Sequence, residues 1–151
     1  MSKRRIFCLV LCALLIALTL AFIWSNSLDS KAESGAKSRT ILGWVRPFLA
    51  FFLGEQQITN HLIRKLAHFV EFFALGAESC CFAALLGPKR RQWTAVTVFG
   101  LAVAAIDETI QIFTNRGPSL KDVGLDFCGF AAGLVCIFLF LHLLLRRQTA
   151  R

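Results

Sequence analysis

Groups able to move protons or hold a ligand stand in this sequence where hydrocarbon is expected. Arg64, Lys65, His68, Glu71 and Glu78 punctuate one long apolar segment, Asp107, Glu108 and Gln111 interrupt another, and Asp122 and Asp126 open a third. Each such residue is costly in a bilayer and persists only where it faces the interior of a helix bundle, water or a partner. At about 100° per residue, Arg64, His68, Glu71 and Glu78 fall within an arc of roughly 80°, so one helix face carries a base, an imidazole and two carboxylates. Asp107 and Gln111 lie one turn apart, as do Asp122 and Asp126. An imidazole among carboxylates is the equipment of acid–base chemistry, which makes His68, Glu71, Asp107 and Glu108 the catalytic candidates. Arg64, Lys65 and Arg116 suit an anionic headgroup, with Gln111, Asp122 and Asp126 completing the candidate ligand-binding set.

The same residues allow a plainer account. Arg64 and Arg116 paired with Glu71, Asp107 or Asp122 would form a structural network holding short helices together, since helices in lipid lack a hydrophobic drive to associate. Against it, the carboxylates Glu71, Glu78, Asp107, Glu108, Asp122 and Asp126 outnumber the bases Arg64, Lys65, Arg116 and Lys121 with His68 among them. Some acids are then neutral, closely paired, or gathered around a cation or a proton path. A divalent metal held by oxygen ligands fits this composition, and the absence of a histidine pair disfavours zinc; no cofactor is identified. His61 and His142 lack acidic company, and no nucleophile elbow, phosphate-binding loop or paired-cysteine motif is present. Ser25, Ser27, Ser34 and Ser38 read as turn and helix-cap residues rather than nucleophiles.

The elements that position these groups are membrane spans. Of 151 residues, 56% are hydrophobic and the mean hydropathy is +0.63, far from an ordinary soluble domain. Uncharged or apolar runs over about 6–24, 63–86, 93–113 and 123–145 predict four transmembrane helices in an all-α polytopic membrane protein. Gly87-Pro88 and Asn115-Arg116-Gly117-Pro118-Ser119 mark the last two connections. A cleaved leader is the competing reading of the first run. The net charge of +8 does not imply nucleic acid, because Lys3, Arg4, Arg5, Lys89, Arg90, Arg91, Arg146, Arg147 and Arg151 cap apolar segments without a single acid among them. The positive-inside rule places both termini and the second-to-third connection in the cytoplasm, and the acid-bearing ends outside.

The first outer loop is divided. Ser27 to Thr40 is polar, whereas Ile41 to Leu53 carries Trp44, Phe48, Phe51 and Phe52, too short to span and interrupted by Pro47. This second half is expected to lie in the membrane interface or to form a re-entrant turn. Cys8, Cys12, Cys80, Cys81, Cys128 and Cys136 all fall in apolar runs and read as small buried hydrophobes rather than as disulfides or a zinc site. Gly129 and Gly133 continue the Asp122–Asp126 face as a small-xxx-small pattern, a surface for close helix approach that would serve a packing partner or a homo-oligomer.

Taken together, these clusters resemble the VanZ-like family of small bacterial membrane proteins. The marks are Arg64-Lys65-Leu66-Ala67-His68-Phe69 running on to Glu71 and Leu75-Gly76, then Asp107-Glu108 with Gln111 and Phe113. Arg116 with Ser119 and Asp122 follows, and finally Asp126 ahead of Gly129 and Gly133. Ser25 and Glu33-Ser34 with Ser38 are similar to the family's serine-bearing outer loop. Phe72 stands where an aromatic, often Tyr, is usual, and Asp126 where Asn is also common. The resemblance implies one membrane domain over 1–151 in a bacterial cell membrane, with an accessory part in tolerance to teicoplanin-type glycopeptides more than to vancomycin. It implies no known reaction, and a general cell-envelope role is equally compatible.

Three functions follow as expectations. The first is an envelope protein whose outer polar cluster binds, or alters the presentation of, a membrane lipid or a lipid-linked cell-wall precursor. The second is an intramembrane enzyme using His68 with Glu71 or Asp107 on an anionic lipid substrate. The third is a subunit packed against a larger synthase or transporter through Gly129 and Gly133.

Overall fold

The computed structural model describes residues 2–53, 58–87, 89–114, 116–117 and 119–149. Pro88, Asn115, Pro118 and Arg151 of the predicted turns and basic tail lie outside the described residues, as do the side chains of Phe52 and Arg147. Five helices follow one another: α1 (Lys3–Ser27), α2 (Lys31–Leu53), α3 (Asn60–Leu86), α4 (Arg90–Phe113) and α5 (Leu120–Thr149). By length and composition α1, α3, α4 and α5 can cross a membrane, α5 over Leu120–Leu144, so the four predicted spans stand and the chain is a membrane protein. No strand occurs among the described residues.

Local chemistry sets the helix ends. Ser2 caps α1 by accepting from the Arg5 amide, and Thr59 caps α3 by accepting from the Leu62 amide. Gly87 ends α3 with φ of 79°, a left-handed conformation that costs glycine no Cβ clash. Arg5 reaches across from α1 and donates from Nε to the Leu85 carbonyl, 2.7 Å away, satisfying an otherwise unpaired acceptor in the last turn of α3.

The first loop departs from expectation. The polar and aromatic halves form one helix: α2 runs without reversal from Lys31 through Pro47 to Leu53, which removes the re-entrant turn. Ser30 starts it: its amide and hydroxyl both donate to Glu33 Oε2, and its hydroxyl accepts from the Glu33 amide, a reciprocal capping box. Pro47 frees only the Gly43 carbonyl, and on this exposed stretch the loss of one hydrogen bond leaves the helix continuous.

The closest helix contact is α3 against α5, and it is backbone on backbone. A Cβ at Gly133 would overlap the Phe73 carbonyl, one at Gly129 the Phe69 carbonyl, and one at Gly76 the Phe130 carbonyl. Gly100 of α4 lies under the Phe130 ring in the same way. The small-residue face is therefore filled, at Gly129 and Gly133, by α3 of the same chain. Beside this seam Ile23, Phe72, Leu75, Val103, Ala104 and Phe130 form the buried core, joining α1, α3, α4 and α5. Alternation of the spans brings the end of α1, the start of α3, the end of α4 and the start of α5 to one end of the bundle, where the polar clusters meet.

Candidate functional site

Asp107 is the best-held group of this polar end. It is wholly buried, and its Oδ1 accepts from the Ser27 hydroxyl at 2.6 Å while its Oδ2 accepts from Gln111 Nε2 at 2.9 Å. Two hydrogen bonds fix the plane of the carboxylate and offset the cost of burying it. His68 lies between two acids, with Nδ1 3.8 Å from Asp107 Oδ2 and 3.9 Å from Glu71 Oε2. Neither distance is a hydrogen bond. Glu71 is tied to α1 through its other oxygen, which accepts from Asn26 Nδ2 at 3.0 Å.

Arg116, in the connection between α4 and α5, turns back to α1 and donates from Nη1 to the Asn26 carbonyl at 2.9 Å. Burial, then the neighbouring Arg64 charge, pulls its pKa below the ordinary guanidinium value, opposed by Asp107, Asp29 and Glu108. Lys65 pairs instead with Asp122, Nζ to Oδ1 2.9 Å, and Arg64 Nη2 lies 3.2 Å from His61 Nδ1. The predicted network thus exists only in part. Among the described residues, neither Arg64 nor Arg116 makes an ion pair with a carboxylate, and Lys65–Asp122 is the pair that ties α3 to α5.

Two cavities divide the predicted site residues between them. A cleft of about 450 Å³ among α1, α2, α3 and Arg116 is lined by Asn26, Lys37, Arg64, His68 and Glu71 on its polar side, and by Phe22, Ile41 and Trp44 on its apolar side. A small one of about 30 Å³ is lined by Lys65, Glu108, Gln111, Asp122 and Asp126, sharing Arg64, His68 and Arg116 with the first. Asp107, inaccessible, sits behind both. Glu108 is held at both oxygens: Oε1 accepts from Gln111 and Oε2 from the Ser119 amide at 2.8 Å, which ties it to the α4–α5 connection. Glu78 does not join the cluster. Seven residues beyond Glu71 it is about 10 Å further along the axis, where it accepts from Thr19 at 2.9 Å.

Sequence reasoning missed Asn26, Lys37 and the role of Ser27. Ser27 is fully buried, although it was expected to be a turn residue, because α1 continues three residues past the last apolar position and carries Asn26 and Ser27 to the acids. The signal was present in the side-chain types: Asn26 and Ser27 are short polar donors placed immediately after a span, at the depth of Glu71 and Asp107. Ser34 and Ser38 are also buried, facing the large cleft from α2.

One family model, described as VanZ/LLP1, matches residues 6–141, from within α1 to within α5 and therefore through every residue of the site. No curated protein and no solved structure matches the chain.

Proposed function

The chain belongs to the VanZ/LLP1 family, and from that premise we propose that it binds the anionic head of a lipid or lipid-linked cell-wall precursor in the large cleft. One observation carries this reading. A second, apolar groove of about 420 Å³ between α2 and α3 shares Phe22, Ile41, Ile63, Ala67 and Glu71 with the cleft and continues it along Val45, Phe48, Leu49 and Val70. A polar chamber opening into an apolar trough matches an amphiphile, head in one and chain in the other. Arg64 and Arg116 present guanidinium groups to the head; the Asn26 carbonyl holds Arg116, and Glu71 in turn holds the Asn26 side chain. Lys65, assigned to the head on sequence, faces the small cavity and Asp122; Lys37 of α2 takes its place on the cleft wall.

With the basic ends in the cytoplasm, the cleft opens at the outer leaflet of a bacterial membrane. Removing or repositioning an outer-leaflet lipid there affects an antibiotic that anchors through an acyl chain more than one that does not, and a teicoplanin-selective tolerance follows. The test is teicoplanin and vancomycin susceptibility of a sensitive Gram-positive host expressing the wild type, Glu71→Gln, Asp122→Asn or Ala67→Trp at matched membrane levels. Ala67→Trp fills the junction of cleft and groove. Teicoplanin tolerance in the wild type that falls in Glu71→Gln and Ala67→Trp supports the reading. A well-expressed wild type without any shift sinks the resistance role, and retained anionic lipid in purified protein, lost in Arg64→Gln, tests binding separately.

The position of His68 between Glu71 and Asp107 favours a second reading, acid–base chemistry on the bound head. Turnover of a lipid substrate abolished by Glu71→Gln, with lipid binding retained, distinguishes it from binding alone.

A further inference from the structure

We infer that His68, Asp107 and Asp126 form a binding site for one divalent first-row transition-metal ion of the Mn²⁺ type. One donor atom from each lies within 4.8 Å of the others, and the three come from three helices, α3, α4 and α5. Adjacent ligand atoms of one such ion stand about 3.0–3.5 Å apart, so the widest-set donors must close by up to roughly 1.5 Å on binding.

Asp126 supplies the independent observation. It is 1% exposed, and neither of its carboxylate oxygens has a hydrogen-bond partner among the described residues. A carboxylate buried without a partner is costly, and a buried polar group in that condition asks for one. The cations that could have neutralised it are engaged elsewhere: Lys65 with Asp122, Arg116 with the Asn26 carbonyl, Arg64 beside His61. His68 Nδ1 is likewise buried without a hydrogen bond. Asp107, by contrast, has its orientation fixed by Ser27 and Gln111, the kind of support that metal-ligating carboxylates receive. The cavity that His68 and Asp126 border, about 30 Å³, has room for an ion with one or two waters and no room for an organic ligand.

The donor set selects the class of ion. Calcium takes six to eight oxygens and magnesium keeps most of its waters, whereas an imidazole with two carboxylates is the donor set of first-row transition ions. Because His68 borders both cavities, an ion here would sit beside the headgroup cleft, although its binding does not depend on a lipid.

Mn²⁺ is the probe of choice, because the six free thiols of the chain compete poorly for it and well for zinc. Full-length protein in lipid-free detergent is titrated with Mn²⁺ by electron paramagnetic resonance, with thermal stability followed in parallel. The expected result is one saturable site per chain and a raised melting temperature. Binding should weaken about tenfold or more in Asp126→Asn and in His68→Gln, and be unchanged in Glu78→Gln. No saturable binding by the wild type, or binding undiminished in Asp126→Asn, overturns the site. Should Asp126→Asn fail to accumulate, His68→Gln and Asp107→Asn decide the question by the same two readouts.

Discussion

The Ser27 hydroxyl donates to Asp107 Oδ1 across 2.6 Å with both residues excluded from solvent, although eighty positions separate them in the chain. This bond fastens the last residue of α1 to the acid at the centre of the polar cluster, and Thr114 reinforces it by donating to the Ser27 carbonyl at 3.3 Å. Ser27→Ala leaves one Asp107 oxygen buried and unpaired. The expected loss is about 1–2 kcal/mol, read as a lower melting temperature in detergent, a value held down because polar contacts in membranes average less than in water. Ser25→Ala is the comparison: among the described residues its hydroxyl bonds only to the Phe22 carbonyl of its own helix, and it faces outward, so stability should move by no more than about 0.5 kcal/mol. Equal effects of the two substitutions would contradict the assignment.

Backbone contact between α3 and α5 makes an equally sharp pair. Gly133→Ala drives a methyl into the Phe73 carbonyl, and nothing there is the flexible end of a side chain, so the helices must separate. Reduced folded yield from membranes and a lower melting temperature are expected. Gly124→Ala, on the same helix with open space around it, should be neutral or stabilise by up to about 1 kcal/mol through helix propensity. A Gly133→Ala protein as stable as the wild type would mean that the close approach is not required.

What could be read in advance follows from the scale of each signal. The four spans were legible because each holds a stretch of about eighteen predominantly apolar residues, more than any other element needs, and the polar arc on α3 because helix periodicity alone determines which residues share a face. Convergence of Glu71, Asp107 and Asp126 followed from alternation of the spans. Assignments that depend on rotamer and depth did not follow: Glu78 shares the arc but not the level, and Lys65, about 60° outside it, swings to Asp122. The start of α2 was available in Ser30-Lys31-Ala32-Glu33, a serine with a glutamate three residues on, but the polar stretch around it reads as coil until the reciprocal bonds are seen.

That capping box gives a pH dependence with a definite sign. The Ser30 side-chain hydrogen bond, then its backbone amide, holds the exposed Glu33 carboxyl below its ordinary value of 4.5. A depressed pKa in the folded state means that the contribution is present above the unfolded value and disappears as pH falls through the folded one. Carbon-detected titration of Glu33 should therefore show a midpoint below 4.5, moving up toward it in Ser30→Ala, with the first turn of α2 loosening only at the acid end. A midpoint unaffected by Ser30→Ala would show that the box does not persist in solution.

Orientation in the membrane is the remaining prediction, and the proposed ligand of the large cleft depends on it. Arg5 bonds to the Leu85 carbonyl, so the basic start of α1 lies beside the end of α3 and the Lys89, Arg90 and Arg91 cluster that follows it. The acids lie at the opposite end, and a lysine- and arginine-rich end is the one retained in the cytoplasm. In a background with the six native cysteines replaced, Lys31→Cys should react with a membrane-impermeant maleimide in intact cells, and Arg90→Cys only after permeabilisation. Lys31 is exposed at the start of α2 and Arg90 at the start of α4, so access to solvent does not limit either reaction. The reverse pattern would put His68, Glu71 and Arg116 on the cytoplasmic side, and any ligand for the cleft would then have to come from the inner leaflet.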